Sequence, residues 1–383
     1  MTLPSACKIG ILGGGQLGKM MFEQTAQWNL TFHFLDSDDA PCKKYATCFI
    51  HGSLTDRESI LQLATISDVI SYEIEHVNIE TLLELQLEGK KMYPYPQVLQ
   101  IIQDKGKQKQ FLDRMHIPVV PYIILQTEQD WQQGISQLQG DKIVVKSRTG
   151  GYDGKGVEIV EKKRLIEGYR PFKSGNALAE MCITGKEIAV IVAVDTKGNT
   201  QFYPPVQMEF DTKSHLVLFL HTELDISEEQ KKKCIDISLQ SAKAFASPGL
   251  FAVELFVTDT EIYVNEIAPR PHNSGHHTIE ACYTSQFEQM VRILLEMPLG
   301  STELIQPAAM VNIVGPENLH GSYVLEQLEQ LLEQPGIYVH LYGKKESRPH
   351  RKLGHITIIA PNKEELFNRV KKAEMLRVIP APS

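Results

Sequence analysis

The sequence predicts an α/β protein, α+β when taken over the whole chain, divided into three units. Strands and helices alternate at βαβ spacing over the first hundred residues, and beyond them strand-like runs gather into hairpins with few helices between. Size points the same way, because 383 residues suggest two or three domains at ~150 residues each. The expected units are a doubly wound parallel sheet over residues 1–103, a strand-rich unit over 104–298, and a small β-rich unit over 299–383.

Each element has a local reason. Residues 8–12 are a short apolar strand running into Gly13-Gly14-Gly15, and 16–28 read as a helix with Leu17, Met20, Met21 and Phe22 inside. Residues 31–35 are a second strand closed by Asp36-Ser37-Asp38; 48–51 are a third, 57–64 a helix, and 69–72 a buried strand. Pro94 and Pro96 punctuate the end of this unit. A polar helix over 105–115 follows, closed by Pro118 and Pro121. Strands at 142–146 and 157–160 flank a glycine-rich loop, 149–156. Residues 178–181, 187–194 and 201–204 are strand-like, 228–244 form an amphipathic helix, and 249–257 with 261–267 form a hairpin. A helix over 285–295 stops before Pro298; strands at 309–314, 337–341 and 355–359 and a helix over 363–373 complete the chain.

Composition narrows the function. Lys plus Arg number 39 against 47 Asp plus Glu, a net charge of −8, which argues against general nucleic-acid binding. No apolar run reaches the ~18 residues that would span a bilayer. The start of the chain lacks the basic flank and small-residue cleavage site of a signal peptide. Six scattered cysteines without a Cys-x-x-Cys pair suggest reduced thiols and a cytoplasmic protein.

Several segments carry chemistry. Gly13-x-Gly15-x-x-Gly18 follows a strand and opens a helix, and Asp36 ends the next strand. This is the pattern of a dinucleotide site; it equally suits a loop for a monophosphate substrate, or a tight turn without a ligand. In the second segment Lys146 ends a strand, and Gly150, Gly151, Gly154 and Gly156 free the following backbone to fold around an anion. Arg148 and Lys155 add charge there, which favours phosphate over a mobile hairpin tip, although the loop is not a Walker A sequence. In the third, Glu254 and Glu266 each interrupt an apolar strand. If they converge, a cation belongs between them, and oxygen ligation suits Mg²⁺. The alternative is a pair of structural acids satisfied by Arg270 and Lys146. The run 270–278 holds three histidines but no fourth ligand at zinc spacing. Glu73 follows the strand 69–72, at the sheet end where doubly wound folds bind ligands. Lys344, Lys345, Arg348, Arg351 and Lys352 concentrate charge in nine positions, as a phosphate clamp or a solvated run.

Together these segments resemble ATP-grasp ligases, and among them the carboxyaminoimidazole ribonucleotide synthetases of purine biosynthesis. The resemblance rests on 13–18, 71–75, 146–156, 265–278 and 342–355 and covers the chain from Ile9 to about Ile359. It implies a pre-ATP-grasp domain, an ATP-grasp domain with a lid over about 119–180, and a small C-terminal domain. It implies that ATP phosphorylates bicarbonate to carboxyphosphate, and that the amine of 5-aminoimidazole ribonucleotide then takes up the carboxyl group. By that resemblance Lys146 holds nucleotide phosphates, Lys105 contacts the nucleotide, and Gly151, Tyr152, Asp153, Gly154, Lys155, Gly156 and Val157 form the closing loop. Tyr152, Asp153 and Lys155 face the reacting centre with Arg270. Glu180, Met181, Cys182 and Ile183 read the purine through their backbone, and Glu187 binds the ribose. Glu254 and Glu266 hold two Mg²⁺ ions with Asn265 beside the triphosphate. His272, Asn273 and Ser274 lie near carboxyphosphate. Gln16, Leu17 and Glu73 bind the ribonucleotide, and Lys344, Arg351 and Lys352 clamp its 5′-phosphate. The resemblance further implies a cytoplasmic homodimer whose product passes to a separate mutase. The chain departs from the family pattern in three places. Lys105 stands where the family often has Arg, Gln207 and Phe210 stand in a segment that often reads Glu-Asn-x-His, and the spacing to Glu187 is one residue short. The competing readings are a sister ligase such as a formate-using glycinamide ribonucleotide transformylase, a nicotinamide dehydrogenase built on the first glycine motif, and a degenerate nucleotide-binding protein.

Overall fold

A computed structural model describes residues 7–151, 156–211 and 216–382. Its first sheet contains β1 (Lys8–Leu12), β2 (Thr31–Asp36), β3 (Cys48–His51), β4 (Val69–Tyr72) and β5 (Lys91–Met92), all parallel, in the order β3-β2-β1-β4-β5. Helices cover both faces, so Ile9, Ile11, Leu12, Phe34 and Leu35 are fully buried and the strands read as continuous apolar runs. Strand order reverses between β1 and β4. The loops after these two strands, which carry the glycine motif and Glu73, therefore open into one crevice. The first helix is shorter than expected: it spans Gln16–Gln24, and the chain tightens into a 3-10 turn at Ala26–Trp28. Thr25 marks the change, its hydroxyl donating back to the Met21 carbonyl at 2.7 Å.

A four-stranded antiparallel sheet follows, built from β6 (Tyr122–Leu125), β7 (Lys142–Ser147), β8 (Val157–Glu161) and β9 (Ala177–Met181) in the order β6-β9-β7-β8. Trp131, Ile135 and Leu165 pack beneath it. The largest sheet begins with β10 (Lys186–Val194), β11 (Thr200–Phe202), β12 (Val206–Phe210) and β13 (Val217–His221), then β14 (Gly249–Val257) and β15 (Ile262–Ala268). The strand expected at 201–204 is β11, which already ends at Phe202 before Pro204 and Pro205 remove ladder donors, and β12 beyond them is a further strand. Helix Glu228–Ala244 packs on β10 and β14, and its start is fixed by a capping box between Ser227 and Gln230.

The last segment adds β16 (Ala308–Val314), β17 (Tyr323–Glu326), β18 (Ile337–Leu341), β19 (Lys352–Ile359) and β20 (Arg377–Pro380). Strand β16 pairs with β13 through His221 and Ala309, so one nine-stranded sheet runs through residue 299 into the C-terminal segment. Its order is β15-β14-β10-β12-β13-β16-β19-β18, with β11 beside β10. Strands β17 and β20 form a separate ribbon. All six cysteines are free thiols. No helix among the described residues is long and apolar enough to cross a membrane.

Candidate active site

The register of the large sheet collects three acids on one face. Glu254 on β14 lies directly opposite Glu266 on β15, and Ala189 on β10 lies opposite Glu254, which places Glu187 on that same side. Lys105, in the first turn of helix Lys105–Arg114, pairs its ammonium with Glu266. His272 Nε2 stands 3.6 Å from Glu254. Lys146, near the end of β7, reaches Asn265 Oδ1 at 2.9 Å and Glu180 Oε2 at 2.6 Å. The two opposed acids are unlike. Lys105 holds the Glu266 carboxyl well below the usual range. Loss of water and the charges of Glu266 and Glu187 push Glu254 up. Two carboxylates this close, one lacking a strong cation, suit a divalent ion that completes its shell with water and phosphate oxygens. Among the described residues, no group of three or more His, Cys, Asp or Glu converges as a metal site by itself.

Burial pushes Glu187 up to about 7, opposed by Lys146 and reinforced by Glu266 and Glu209. Its folded pKa lies above that of the unfolded chain, so its ionisation costs stability as pH rises, fully so above pH about 7. Glu187→Gln is therefore expected to raise the melting temperature relative to the parent more at pH 8 than at pH 5. Thermal melts at the two pH values check this; an equal shift at both counts against a buried acid.

The segment expected to read the purine leaves the four-stranded sheet just beyond Glu180. The Met181 N–H donates to the Pro121 carbonyl at 3.0 Å, and Cys182 and Ile183 continue half-buried past the strand end. The Glu180 side chain lies buried between two cations, Lys146 at Oε2 and Lys109, whose Nζ is 3.1 Å from an Oε1 that has no hydrogen-bond partner among the described residues. Lys109 was not among the expected residues. Its position four residues after Lys105, on the same helix face, was the available signal. Gly151, Gly156 and Val157 flank the loop, with the Gly156 carbonyl accepting the Ser147 N–H at 2.7 Å. Tyr152, Asp153, Gly154 and Lys155 lie outside the described residues. Arg148 is engaged elsewhere than on a phosphate. Its Nη2 and Nε bind the two Asp104 oxygens at 2.6 and 3.0 Å, and Asp104 caps the helix that carries Lys105. That fork ties the four-stranded sheet to the helix.

The second half of the site surrounds the first glycine motif. Glu73, from the end of β4, accepts the N–H groups of Gly15 and Gly18. A Cβ on Gly13 would fall 2.5 Å from Glu73 Cγ, at a φ of +101° that also favours glycine. Asp36 accepts the Gly14 N–H at 2.6 Å. The backbone donors that a pyrophosphate would need are thus taken by the protein's own acids, which removes the nicotinamide reading. Leu17 is buried in the helix just behind the loop, and Gln16 is half-buried at its start. Lys344 lies within electrostatic reach of Glu73 and Asp36, and Arg351 lies within reach of Lys344. Burial and the charge of Arg351 lower the Lys344 pKa, while Glu73 and Asp36 pull it the other way. Arg351 Nη1 donates to the Glu346 carbonyl at 2.9 Å, and Lys352 opens β19.

Residues 270–274 join the two halves. Arg270 Nε donates to Glu75 Oε1 at 2.8 Å, two residues beyond Glu73, while His272 reaches toward Glu254. His272 Nδ1 is 2.9 Å from the hydroxyl of the buried Ser274. Asn273 is committed to a reciprocal amide pair with Asn312 on β16, at 3.0 and 3.1 Å. Of the alternative partners for the paired acids, Arg270 is taken by Glu75, whereas Lys146 does act on both acids; the principal cation of Glu266 is Lys105.

A lysine-bearing antiparallel sheet facing paired carboxylates on a second sheet defines the ATP-grasp class, and residues 110–287 match the ATP-grasp domain family. Residues 6–103 match the ribonucleotide synthetase preATP-grasp domain, and residues 308–369 the phosphoribosylaminoimidazole carboxylase C-terminal domain. The chain belongs to the N5-carboxyaminoimidazole ribonucleotide synthase family. It is 35% identical over 360 residues to the synthase named from Staphylococcus epidermidis, covering 92% of each chain. It is 37% identical to phosphoribosylaminoimidazole carboxylase of Candida albicans, over 94% of this chain but only 65% of that longer protein. The N5-carboxyaminoimidazole ribonucleotide synthetase structure from Thermotoga maritima superposes with a TM-score of 0.89 at 39% identity, covering 98% of this chain and all of that one. A synthase structure from Aspergillus clavatus, in complex with ADP and 5-aminoimidazole ribonucleotide, gives 0.86 at 32% identity over 96% and 97% of the two chains.

Proposed function

We propose that this chain carboxylates 5-aminoimidazole ribonucleotide on its amine, using ATP and bicarbonate. The supporting observation is the two-sided site. Cations and paired acids suited to a triphosphate lie on one side, a basic clamp over a glycine loop suited to a monophosphate lies on the other, and Arg270 and His272 stand between. Glu254 and Glu266 would hold Mg²⁺, which would supply charge neutralisation to the phosphates. Lys105 and Lys146 align the β- and γ-phosphates as point charges, and Glu187 accepts a ribose hydroxyl. The γ-phosphoryl group passes to a bicarbonate oxygen, giving ADP and carboxyphosphate. The ribonucleotide amine then attacks the carboxyl carbon, the bond to the phosphate oxygen breaks, and the amine loses a proton. Arg270 offsets the negative charge on the departing phosphate.

The test is ADP release with Mg-ATP and bicarbonate, with and without 5-aminoimidazole ribonucleotide. Strong stimulation by the ribonucleotide is expected. ATP binding with no stimulation would overturn the reading and point to a sister ligase with another acceptor or to a chain that kept the fold and lost the chemistry.

A further inference from the structure

Lys109 is 2% exposed, Glu180 2% and Lys146 8%, and the three form one buried ionic group. Lys146 approaches one Glu180 oxygen at 2.6 Å, and Lys109 approaches the other at 3.1 Å. Lys109 directs its hydrogen bond to the Val264 carbonyl, at 3.1 Å, so its hold on Glu180 is chiefly electrostatic. Lys146 turns its other side to Asn265, next to Glu266, where phosphates would lie. Lys109 thus stands behind the carboxylate and Lys146 in front of it. Burial alone would favour the neutral acid, but the two ammonium groups together hold Glu180 below its ordinary range.

The charge balance has a direct consequence. Lys146 with Glu180 alone is a neutral pair, and a phosphate meeting it gains little beyond a local dipole. With Lys109 the group carries one net positive charge. We propose that Lys109 is a positioning residue for nucleotide binding: it balances Glu180 from behind, and so leaves the charge of Lys146 free to act on the nucleotide phosphates. The inference rests on the ATP-dependent reading above. It adds a residue that touches no substrate and decides how strongly the phosphate lysine acts. The Val264 carbonyl fixes Lys109 in that place, so the balance does not depend on a mobile side chain.

Equilibrium binding of ATP and of adenosine, each to the full chain, separates this role from a structural one. Lys109→Met is expected to weaken ATP at least about tenfold, near 1.4 kcal/mol, and adenosine less than about twofold, because only the phosphates sense the lost charge. The double variant Lys109→Met/Glu180→Gln restores one net positive charge and is expected to recover most of the lost ATP affinity. Undiminished ATP binding by Lys109→Met overturns the inference. So does a loss of ATP and adenosine together in both variants, which marks a structural role. If the single variant does not fold, the double variant decides. An ATP-to-adenosine affinity ratio near the parent's supports the balance, and a tenfold lower ratio overturns it. A parent chain that binds no ATP overturns the ligase reading itself.

Discussion

Glu266→Gln is expected to lower the rate of ribonucleotide-stimulated ADP release on the order of 10²- to 10³-fold, the range seen when one preorganised electrostatic group is removed. Glu266 lies opposite Glu254 across β14 and β15, adjoins the Asn265 that Lys146 contacts, and takes the Lys105 ammonium. An amide keeps the shape but offers a metal one neutral oxygen in place of a carboxylate. It also leaves Lys105 without its anion, so a cation that should meet phosphate loses its anchor. The fold is expected to survive. Val264 and Ile267 of β15 are buried against the helices, whereas Glu266 is half-exposed, and its removal relieves repulsion on Glu254. The measurement pairs steady-state ADP release with a thermal melt. Parental turnover in a folded variant would sink the metal assignment.

The doubly wound unit was readable because its strands, buried on both faces, are continuous apolar runs bounded by glycine or acid. Strand 69–72 and helix 363–373 have the ends that the sequence suggested. Strands whose stability comes from a neighbour were harder to see. Strand β13, Val217–His221, alternates weakly and is fixed by β12 on one side and β16 on the other. The pairing of β13 with β16 also makes the C-terminal segment part of the central sheet, which no local pattern announces. In the site, residue types were legible and pairings were not. Glu254 and Glu266 stood out as acids in apolar strands. Which cation meets Glu266 depends on how the helix beginning at Lys105 crosses β15, and that is a tertiary fact. Arg148 shows the same limit: beside a glycine loop it reads as a phosphate ligand, yet Asp104, 44 residues earlier, takes its fork. Glu73 was expected to meet the ribonucleotide. It also builds the loop, by capping the backbone that a dinucleotide would need.

Arg351→Ala is expected to raise the KM for 5-aminoimidazole ribonucleotide on the order of 10- to 100-fold, the range for losing a hydrogen bond to a charged group, with a smaller change in kcat. The basis is an excess of like charge. Lys344 is drawn toward Glu73 and Asp36, but burial and the nearby Arg351 disfavour its charged form. Arg351 is itself disfavoured by burial and then by Arg348. An entering anion offsets that like-charge repulsion, and a terminal phosphate presents three oxygens to the planar fork of the guanidinium. Alanine removes the fork and leaves Lys344 as a single point charge. Arg351→Lys keeps the charge without the fork, so its KM should fall between those of the parent and the alanine variant. Steady-state kinetics with the ribonucleotide varied at saturating ATP, then with ATP varied, separates the two halves of the site. A rise confined to the KM for ATP would move Arg351 from the clamp to the nucleotide side. That is incompatible with a residue whose neighbours are Lys344 and Arg348, and whose loop faces Glu73 rather than Glu266.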